Sequence, residues 1–194
     1  MMQGILVDLT PLSKEYIDVI RNWRNSPDVY RYLFSHYFIT PEQQQSWYEN
    51  LLRDKSKLYM MVIEKKDMKP VGLVWLNNID NLHRTAEWGF FMGSKEGRNA
   101  GYAVEAEYLL IKYAFEYLNL HRLYGHVFTF NKKVISMHKR FGFQLEGILR
   151  EHVYHEGEYK NVAVVGLLKQ EYFAQQPVYK KMIDMFRKSS TFTE

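Results

Sequence analysis

The stretch Phe90-Phe91-Met92-Gly93-Ser94-Lys95-Glu96-Gly97-Arg98-Asn99-Ala100-Gly101-Tyr102-Ala103 decides how this chain folds, because it joins a strand pattern to a helix pattern. Residues 85–93 are rich in aromatic side chains and predict a strand, and apolar positions repeated through residues 103–118 predict a helix. The first N–H groups of a helix have no partner inside it, and the helix dipole favours an anion there. With Gly101 for close backbone approach and Arg98 for a charged contact, the loop predicts a phosphate site.

This loop differs from two widespread phosphate-binding loops. A P-loop requires a Lys-Ser or Lys-Thr pair after its last glycine, whereas Tyr102-Ala103 follows here, and the dinucleotide pattern G-x-G-x-x-G is absent. Taken alone, the loop also fits a glycine-containing turn that leads into a helix. The interpretation of the loop therefore depends on the rest of the chain.

Composition restricts the class of protein. The chain has 194 residues, 46% hydrophobic and 25% charged, which fits one soluble domain with a full-sized core. It contains no cysteine, which excludes disulfides, thiolate metal sites and a cysteine nucleophile. The net charge of +4 suits an anionic ligand, but the basic residues are scattered, so we expect no nucleic-acid partner. Without a long apolar run or a signal pattern, we expect a cytoplasmic protein with no membrane partner.

The order of predicted elements indicates a mixed α/β sheet with helices on both faces. The segment after the long helix, residues 121–129, follows a crossover and is expected to lie parallel to residues 85–93. The basic amphipathic helix at 177–188 is read as a docking or dimer helix, so a homodimer is possible. The predicted strands are 5–9, 58–64, 70–77, 85–93, 121–129, 143–154 and 159–168; the other predicted helices are 13–25, 41–53 and 132–140.

Two separated motifs resemble one family. The pattern Arg98-x-x-Gly101-x-Ala103 resembles the R/Q-x-x-G-x-G/A loop with which GCN5-related N-acetyltransferases (GNAT) grip the pyrophosphate of acetyl-CoA. Asn131 near the end of the fifth strand, followed by a helix that ends at Gly142-Phe143, resembles the family's second signature. The element order agrees as well, and the resemblance covers about residues 6–168.

The resemblance implies a fold, an activity and a co-substrate. The fold would be a largely antiparallel sheet of about seven strands, with a central parallel pair splayed to hold CoA and an extra C-terminal helix. We expect residues 1–168 to form the acetyltransferase domain, with 169–194 as a helical extension packed on it. The activity would be direct transfer of acetyl from acetyl-CoA to a primary amine of a small acceptor, without a metal.

The family's cofactor contacts can be carried over to positions of this chain. The pantetheine amides would pair with the strand backbone, where an N–H near Phe91 or Met92 would also stabilise the oxyanion. Asn131 would contact the pantetheine arm, although it also suits the N-cap of the next helix. The expected cofactor-binding residues are Phe90, Phe91, Met92, Arg98, Asn99, Ala100, Gly101, Tyr102, Ala103, Asn131 and Lys133.

Two residues are candidates for proton transfer. Glu87 stands where several relatives carry an acidic residue on the fourth strand, and it would act as a base through a water; alternatively it faces solvent or pairs with Arg84. His138 stands where many relatives have a tyrosine, four residues before the helix-ending glycine, and it would act as the acid. His138 would otherwise be a surface residue or pack against CoA, with Ser136 or Tyr102 as substitutes.

The acceptor is expected to be an amino sugar. Trp23-Arg24-Asn25, Ala86-Glu87-Trp88-Gly89-Phe90 and Tyr159-Lys160-Asn161-Val162 look most like amino-sugar N-acetyltransferases, which acetylate a UDP-linked 4-amino-4,6-dideoxy sugar. Arg21, Arg24 or Arg31 would meet the diphosphate. The aromatic residues of 30–38, Phe34 among them, would stack on the uracil or the sugar together with Trp75 and Trp88. Polyamine and ribosomal-protein N-terminal acetyltransferases are the rivals within the fold. A non-catalytic acyl-CoA-binding module is the rival from another class.

Overall fold

One eight-stranded sheet organises the molecule, with the strand order β1-β2-β3-β4-β5-β6-β8-β7. The structure is a computed structural model that describes residues 1–35, 37–95, 97 and 101–190. All neighbouring strands are antiparallel except β5 and β6, which are parallel as the sequence predicts. The strands are β1 Met2–Gln3, β2 Val7–Pro11, β3 Leu58–Glu64, β4 Pro70–Asp80, β5 Thr85–Met92, β6 Arg122–Phe128, β7 Gln144–His155 and β8 Glu158–Leu168.

Helices cover both faces of this sheet. The helices are α1 Ile17–Arg24, α2 Pro27–Tyr30, α3 Pro41–Arg53, α4 Tyr102–Lys112, α5 Lys132–Arg140, α6 Lys169–Ala174 and α7 Gln176–Ser190. Residues of α1 and α2 pack with Met61, Leu73 and Phe91 on one face, called the Glu87 face below. The helix α4 and the C-terminal helices pack on the opposite face, called the α4 face. No helix in the described part of the chain is long and apolar enough to cross a membrane.

Local signals explain some boundaries and miss others. The predicted capping box on α3 is confirmed: Gln43 N–H donates to Thr40 Oγ1, and Thr40 N–H donates to Gln43 Oε1. The predicted helix 13–25 instead starts with a short 3₁₀ turn at Lys14–Tyr16, and Ser13 makes no side-chain cap bond. The predicted long helix ends its α-geometry at Lys112 and continues as one π-helical turn, Tyr113–Tyr117.

The two parallel strands separate after three residue pairs. Thr85 pairs with Arg122, Ala86 with Leu123 and Glu87 with Tyr124. Beyond Glu87, β5 remains paired with β4 as far as Met92, while β6 remains paired with β8 as far as Phe128. The sheet therefore contains a wedge-shaped opening, called the slot below, between the second half of β5 and β6.

The C-terminal helices belong to the core on the α4 face. Tyr172 of α6 and Tyr179 of α7 are fully buried, and the Tyr179 hydroxyl donates to the Phe141 carbonyl at 2.6 Å. Phe186, farther along α7, lies close to Gly101, since a Cβ added to Gly101 would be 3.5 Å from the Phe186 ring. The last helix thus reaches back to the start of α4.

Candidate active site

The backbone of β5 on the slot side is open. Residues along a strand direct their N–H and C=O groups alternately to the two neighbouring strands. Arg122 N–H donates to the Arg84 carbonyl toward β6, and Gly93 N–H donates to the Val71 carbonyl toward β4. The even-numbered residues of β5 therefore direct their backbone N–H and C=O groups toward the slot. At Phe90 and Met92 these groups have no strand opposite them.

Phe91 does not face the slot, in contrast to the expectation that it binds pantetheine. It lies opposite Leu73 of β4, and its buried side chain packs on the Glu87 face with Ile20. The reason is the strand alternation, which gives the slot only every second residue. Phe90 and Met92 are the two cofactor candidates of this strand whose polar backbone groups are directed into the opening.

The start of α4 has the conformation that the phosphate-loop prediction requires. Gly101 is the N-cap with φ of +114°, and a Cβ there would lie 2.7 Å from Leu6 Cδ1. The first N–H groups of the helix, beginning at Tyr102 and Ala103, have no partner within it. The Tyr102 hydroxyl donates to Glu64 at 3.3 Å, and burial together with that carboxylate raises the pKa of Tyr102. Arg98, Asn99 and Ala100 lie outside the described residues.

A buried carboxylate fixes this helix start to the N-terminal segment. Glu105, 1% exposed, accepts hydrogen bonds from the N–H groups of Ile5, Leu6 and Val7 at 2.7, 2.6 and 2.9 Å. These hydrogen bonds satisfy a carboxylate that is removed from water. The start of α4 is thereby held against the segment that leads into β2.

Asn131 lies where β6 leads into α5. Its backbone caps the helix, since its carbonyl accepts from Ile135 N–H at 3.1 Å, but its side chain makes no cap hydrogen bond. The side-chain amide is therefore available to a ligand. Lys133 follows in the first turn and is exposed.

Glu87 and His126 form a carboxylate–imidazole pair where the parallel strands separate. Glu87 Oε1 lies 2.8 Å from His126 Nδ1, and Asn78 Nδ2 donates to Glu87 Oε2 at 3.2 Å. Both members of the pair are about a quarter exposed, at 26% and 27%. This arrangement differs from both alternatives for Glu87, which were exposure to solvent and pairing with Arg84. His126 was missed from sequence because its contact depends on the parallel register: it stands two residues after Tyr124, the partner of Glu87.

Aromatic side chains and one half-buried cation lie on the same face of the sheet as this pair. Trp75 stacks on Tyr59 at 5.9 Å, and Phe34 meets Phe128 edge-on at 4.7 Å. Arg24 Nη2 donates to Ser35 Oγ at 2.9 Å, and burial lowers the pKa of Arg24 against the opposing effect of Tyr37 and Tyr59. Three of the four expected substrate residues, Arg24, Phe34 and Trp75, thus lie on one side of the sheet.

Trp88, the fourth expected substrate residue, is a core residue of the α4 face. It follows Glu87 directly in a strand, so its side chain points to the other side of the sheet. Trp88 is 5% exposed and packs against Phe143 at 4.9 Å. The interpretation of Trp88 as a stacking surface for the acceptor is therefore wrong in this structure.

His138 is buried beside Trp88 and is not a surface residue. Its Nδ1 lies 2.8 Å from Glu107 Oε1, and the two side chains are 1% and 0% exposed. The imidazole meets the Trp88 ring edge-on at 4.5 Å. Glu107 Oε2 has no hydrogen-bond partner among the residues that the structure describes. The sequence did not reveal this second pair, because Glu107 resembles any polar residue of an amphipathic helix.

These features define a class of enzyme: open backbone amides along a slot, a glycine-started helix at its end, and a carboxylate beside it suit an acyl-CoA-dependent transferase. A family model described as "Acetyltransferase (GNAT) domain" matches residues 7–144. The chain belongs to the GNAT acetyltransferase family, and it is an N-acetyltransferase that uses acetyl-CoA. The alternative of a non-catalytic acyl-CoA-binding module is therefore set aside.

Three relatives within the family are similar to this chain over most of their own length. The chain is 30% identical over 169 residues to the spermidine N(1)-acetyltransferase of Escherichia coli K12, covering 87% of this chain and 89% of that protein. It is 29% identical over 140 residues to the acetyltransferase PseH of Campylobacter jejuni, covering 72% and 84%. The spermidine N-acetyltransferase of Vibrio cholerae, solved with CoA and spermine, superposes with a TM-score of 0.82 at 26% identity, covering 87% and 98%.

Proposed function

We propose that this enzyme acetylates the primary amine of a nucleotide-linked amino sugar, such as a UDP-linked 4-amino-4,6-dideoxy sugar. The observation that carries this proposal is the combination of a carboxylate, Glu87, and a half-buried cation, Arg24, on one aromatic face. Tyr59 lies within electrostatic reach of both, since Arg24 acts to lower and Glu87 to raise its pKa, while burial raises it overall. An acceptor with an amine at one end and phosphates at the other satisfies both charges.

The amine chemistry requires a base, for which we propose Glu87. The arriving ammonium must lose one proton before its nitrogen can attack the thioester carbonyl carbon. Glu87 accepts that proton, directly or through a water, while Asn78 and His126 hold its two oxygens in place. As the new C–N bond forms, the C–S bond breaks, and the nitrogen loses its second proton to solvent.

The slot supplies the remaining groups. We propose that the N–H of Phe90 or Met92 stabilises the carbonyl oxygen as it gains negative charge. His138, on the opposite face of the sheet from Glu87, is the proposed proton donor to the leaving sulfur, with Glu107 holding its Nδ1. The phosphates of acetyl-CoA would meet the first turn of α4 at Gly101, Tyr102 and Ala103, together with Arg98, Asn99 and Ala100, while Asn131 and Lys133 would contact the carrier from α5.

Polyamine acetylation is the second candidate, favoured by the names of the E. coli and V. cholerae relatives. A polyamine is cationic along its whole length and would place positive charge against Arg24. Of the carboxylates that could attract it, Asp54 at the end of α3 pairs with Lys57 at 2.8 Å, whereas Glu42 and Glu49 are exposed on α3. The position of Arg24 is what favours the nucleotide-linked acceptor.

The test is a thiol-release assay with acetyl-CoA against a UDP-amino sugar, spermidine and a peptide N-terminus. We expect the UDP-amino sugar to be the best acceptor, and Glu87→Gln to lower its kcat by about 10² to 10⁴ with acetyl-CoA affinity unchanged. Arg24→Gln should raise the KM for the UDP-amino sugar by about 10- to 100-fold, because a charged hydrogen bond is lost. The matched control is Arg53→Gln, an exposed arginine on α3. Better turnover of spermidine by the unmodified enzyme would contradict the proposal.

A further inference from the structure

A basic, aromatic cleft of about 430 Å³ lies beside the Glu87 face. Its walls carry two rings, Tyr32 and Phe130, and it is lined further by Arg31, Lys132, Lys133 and Glu156; this set is called the outer cleft below. We propose that the outer cleft binds the nucleoside diphosphate part of the acceptor. The inference rests on the proposed function and assigns the end of the substrate that lies away from the reacting amine.

The aromatic wall is built as a stacking surface. Phe130 is 45% exposed on one side, and on the other it stacks on Phe128 at 5.0 Å with an angle of 16° between the rings. Phe128 is itself 1% exposed, so the outer ring is supported by a buried one. Tyr32 stands 6.2 Å from Phe130 at an angle of 38°. An exposed ring with rigid backing is the feature that proteins use to stack a nucleobase.

Positive charge surrounds this wall. Arg31 lies 4.8 Å over the Tyr32 ring and donates to its hydroxyl at 2.8 Å, which fixes the guanidinium at the rim. Lys160 Nζ lies 5.9 Å from the centre of Phe130 but is paired with Glu158, so it adds no free charge to the rim. Lys132 completes the rim opposite the carboxylate of Glu156, while Lys133, assigned above to the acetyl carrier, borders the cleft. Cations beside a stacking ring suit a diphosphate attached to a base, and Glu156 suits the hydroxyl groups of a ribose.

The outer cleft lies along the same face of β6 as the reacting end of the site. His126 and Phe128 point to the same face of β6, two residues and about 7 Å apart. Phe34 touches Phe128 from the segment that follows α2, next to Ser35 and its partner Arg24. A sugar with its amine at Glu87 would therefore direct its diphosphate past Phe34 toward Phe130.

A nucleoside phosphate could also come from acetyl-CoA, whose adenosine carries phosphates, and Asn131 and Lys133 border the same cleft. The aromatic wall favours the acceptor, because Phe128 lies on the Glu87 face, on the far side of the sheet from α4. The experiment separates the two sources by titrating UDP and adenosine 3′,5′-bisphosphate into the protein by calorimetry, with and without saturating CoA.

We expect UDP to bind with the same Kd in the presence and absence of CoA. Phe130→Leu and Arg31→Gln should each raise that Kd at least about tenfold, the loss of one stacking or charged contact. Phe173→Leu is the control for the ring, since Phe173 is 48% exposed on α6, and Arg53→Gln is the control for the cation. Both controls should leave the Kd for UDP unchanged.

Three results would overturn the assignment: no UDP binding by the unmodified protein, a Kd for UDP unaffected by Phe130→Leu and Arg31→Gln, or displacement of UDP by CoA or the bisphosphate. The acetylation assay separates this inference from the proposed function. If both cleft variants acetylate the UDP-amino sugar with an unaltered KM, the outer cleft does not bind the nucleotide, but the proposed acceptor stands. If those variants lose UDP binding but the unmodified enzyme does not acetylate the UDP-amino sugar, the outer cleft is a nucleotide site and the proposed acceptor is wrong.

Discussion

Two buried side chains, Glu107 and His138, decide whether the enzyme has a proton donor on the α4 face. Glu107→Gln removes the carboxylate whose Oε1 lies 2.8 Å from His138 Nδ1, and we expect kcat to fall at least about tenfold, within the range of a lost acid–base contribution. Disrupting this buried hydrogen bond should also lower the free energy of unfolding by about 1–3 kcal/mol. Steady-state kinetics and urea unfolding measure the two effects.

The double variant Glu107→Gln/His138→Asn separates proton donation from packing. Two neutral amides can bond to each other, so we expect much of the lost stability to return. If kcat stays low in the double variant, His138 acts on the substrate. If kcat recovers with stability, the pair is structural and the acid role is wrong.

Gly101 carries the conformation of the phosphate loop. Gly101→Val would force a β-branched residue to φ of +114° and place its Cβ against Leu6, so we expect loss of about 1–3 kcal/mol of stability and at least tenfold weaker CoA binding. Calorimetry with CoA measures the affinity. Gly147→Val is the control, because a Cβ there meets no atom within 4 Å. Equal CoA affinity in the two variants would remove this loop from the site.

Residues that belong to local patterns could be predicted from sequence, and residues that depend on register could not. Gly101 and Glu87 belong to short motifs beside a strand. His126 meets Glu87 only through the parallel pairing of β5 and β6, and Asn78 reaches it from a bulged part of β4, where Asn78 has φ of +51°. Trp88 directly follows Glu87 in β5, so strand alternation turns its side chain to the α4 face, away from Phe34 and Trp75.

Among the strands, β6 and β7 are tied across β8 by one ion pair. Arg122 of β6 holds both oxygens of Glu146 at the β7 bulge, directly over Gly166 of β8, where a Cβ would collide with both side chains. The guanidinium lowers the pKa of Glu146 below its usual 4.5. The bulge at Glu146 thereby brings a carboxylate over the neighbouring strand.

Glu146→Gln should lower stability in a pH-dependent way. A carboxyl with a lowered folded-state pKa stabilises the fold above its unfolded pKa, and this contribution is lost as pH falls through the folded value. Because both side chains are about a third exposed, we expect only about 0.5–1 kcal/mol at pH 7. Urea unfolding of both proteins between pH 7 and pH 3.5 should show the difference shrinking below about pH 4.5. A difference independent of pH would contradict the electrostatic origin.

Elements with strong end signals agreed best with the sequence. The capped helix α3 and the strands from β3 to β6 lie where the patterns place them. The two-residue strand β1, the short helices α2 and α6 and the π-helical turn were missed. These elements are too short to show a period, and tertiary packing sets their geometry.

For the molecule as a whole, the C-terminal helices are part of the core. Tyr179→Ala should lower the free energy of unfolding by about 3–5 kcal/mol, because a large ring is removed from between Phe141, Tyr108 and Tyr172. Tyr179→Phe should cost only about 0.5–1.5 kcal/mol, the value of its hydrogen bond to the Phe141 carbonyl. Thermal or urea unfolding measures both.

Met185→Ala is the control on the same helix, since Met185 is 61% exposed. A small effect of Tyr179→Ala would mean that α7 detaches without loss to the rest of the domain. The division into residues 1–168 and 169–194 stays a prediction, as does a homodimer through α7.

The slot has a consequence for how the enzyme persists in a living cell. Because β5 and β6 separate, several backbone groups of the sheet have no partner strand. Acetyl-CoA is the molecule that would hydrogen-bond to them. A metabolite that fills such a gap in the native state alone shifts folding by mass action, by about 2.7 kcal/mol at one hundred times its Kd. The resident amount of enzyme should therefore follow the supply of acetyl-CoA, so that scarcity of the donor also shortens the lifetime of the catalyst.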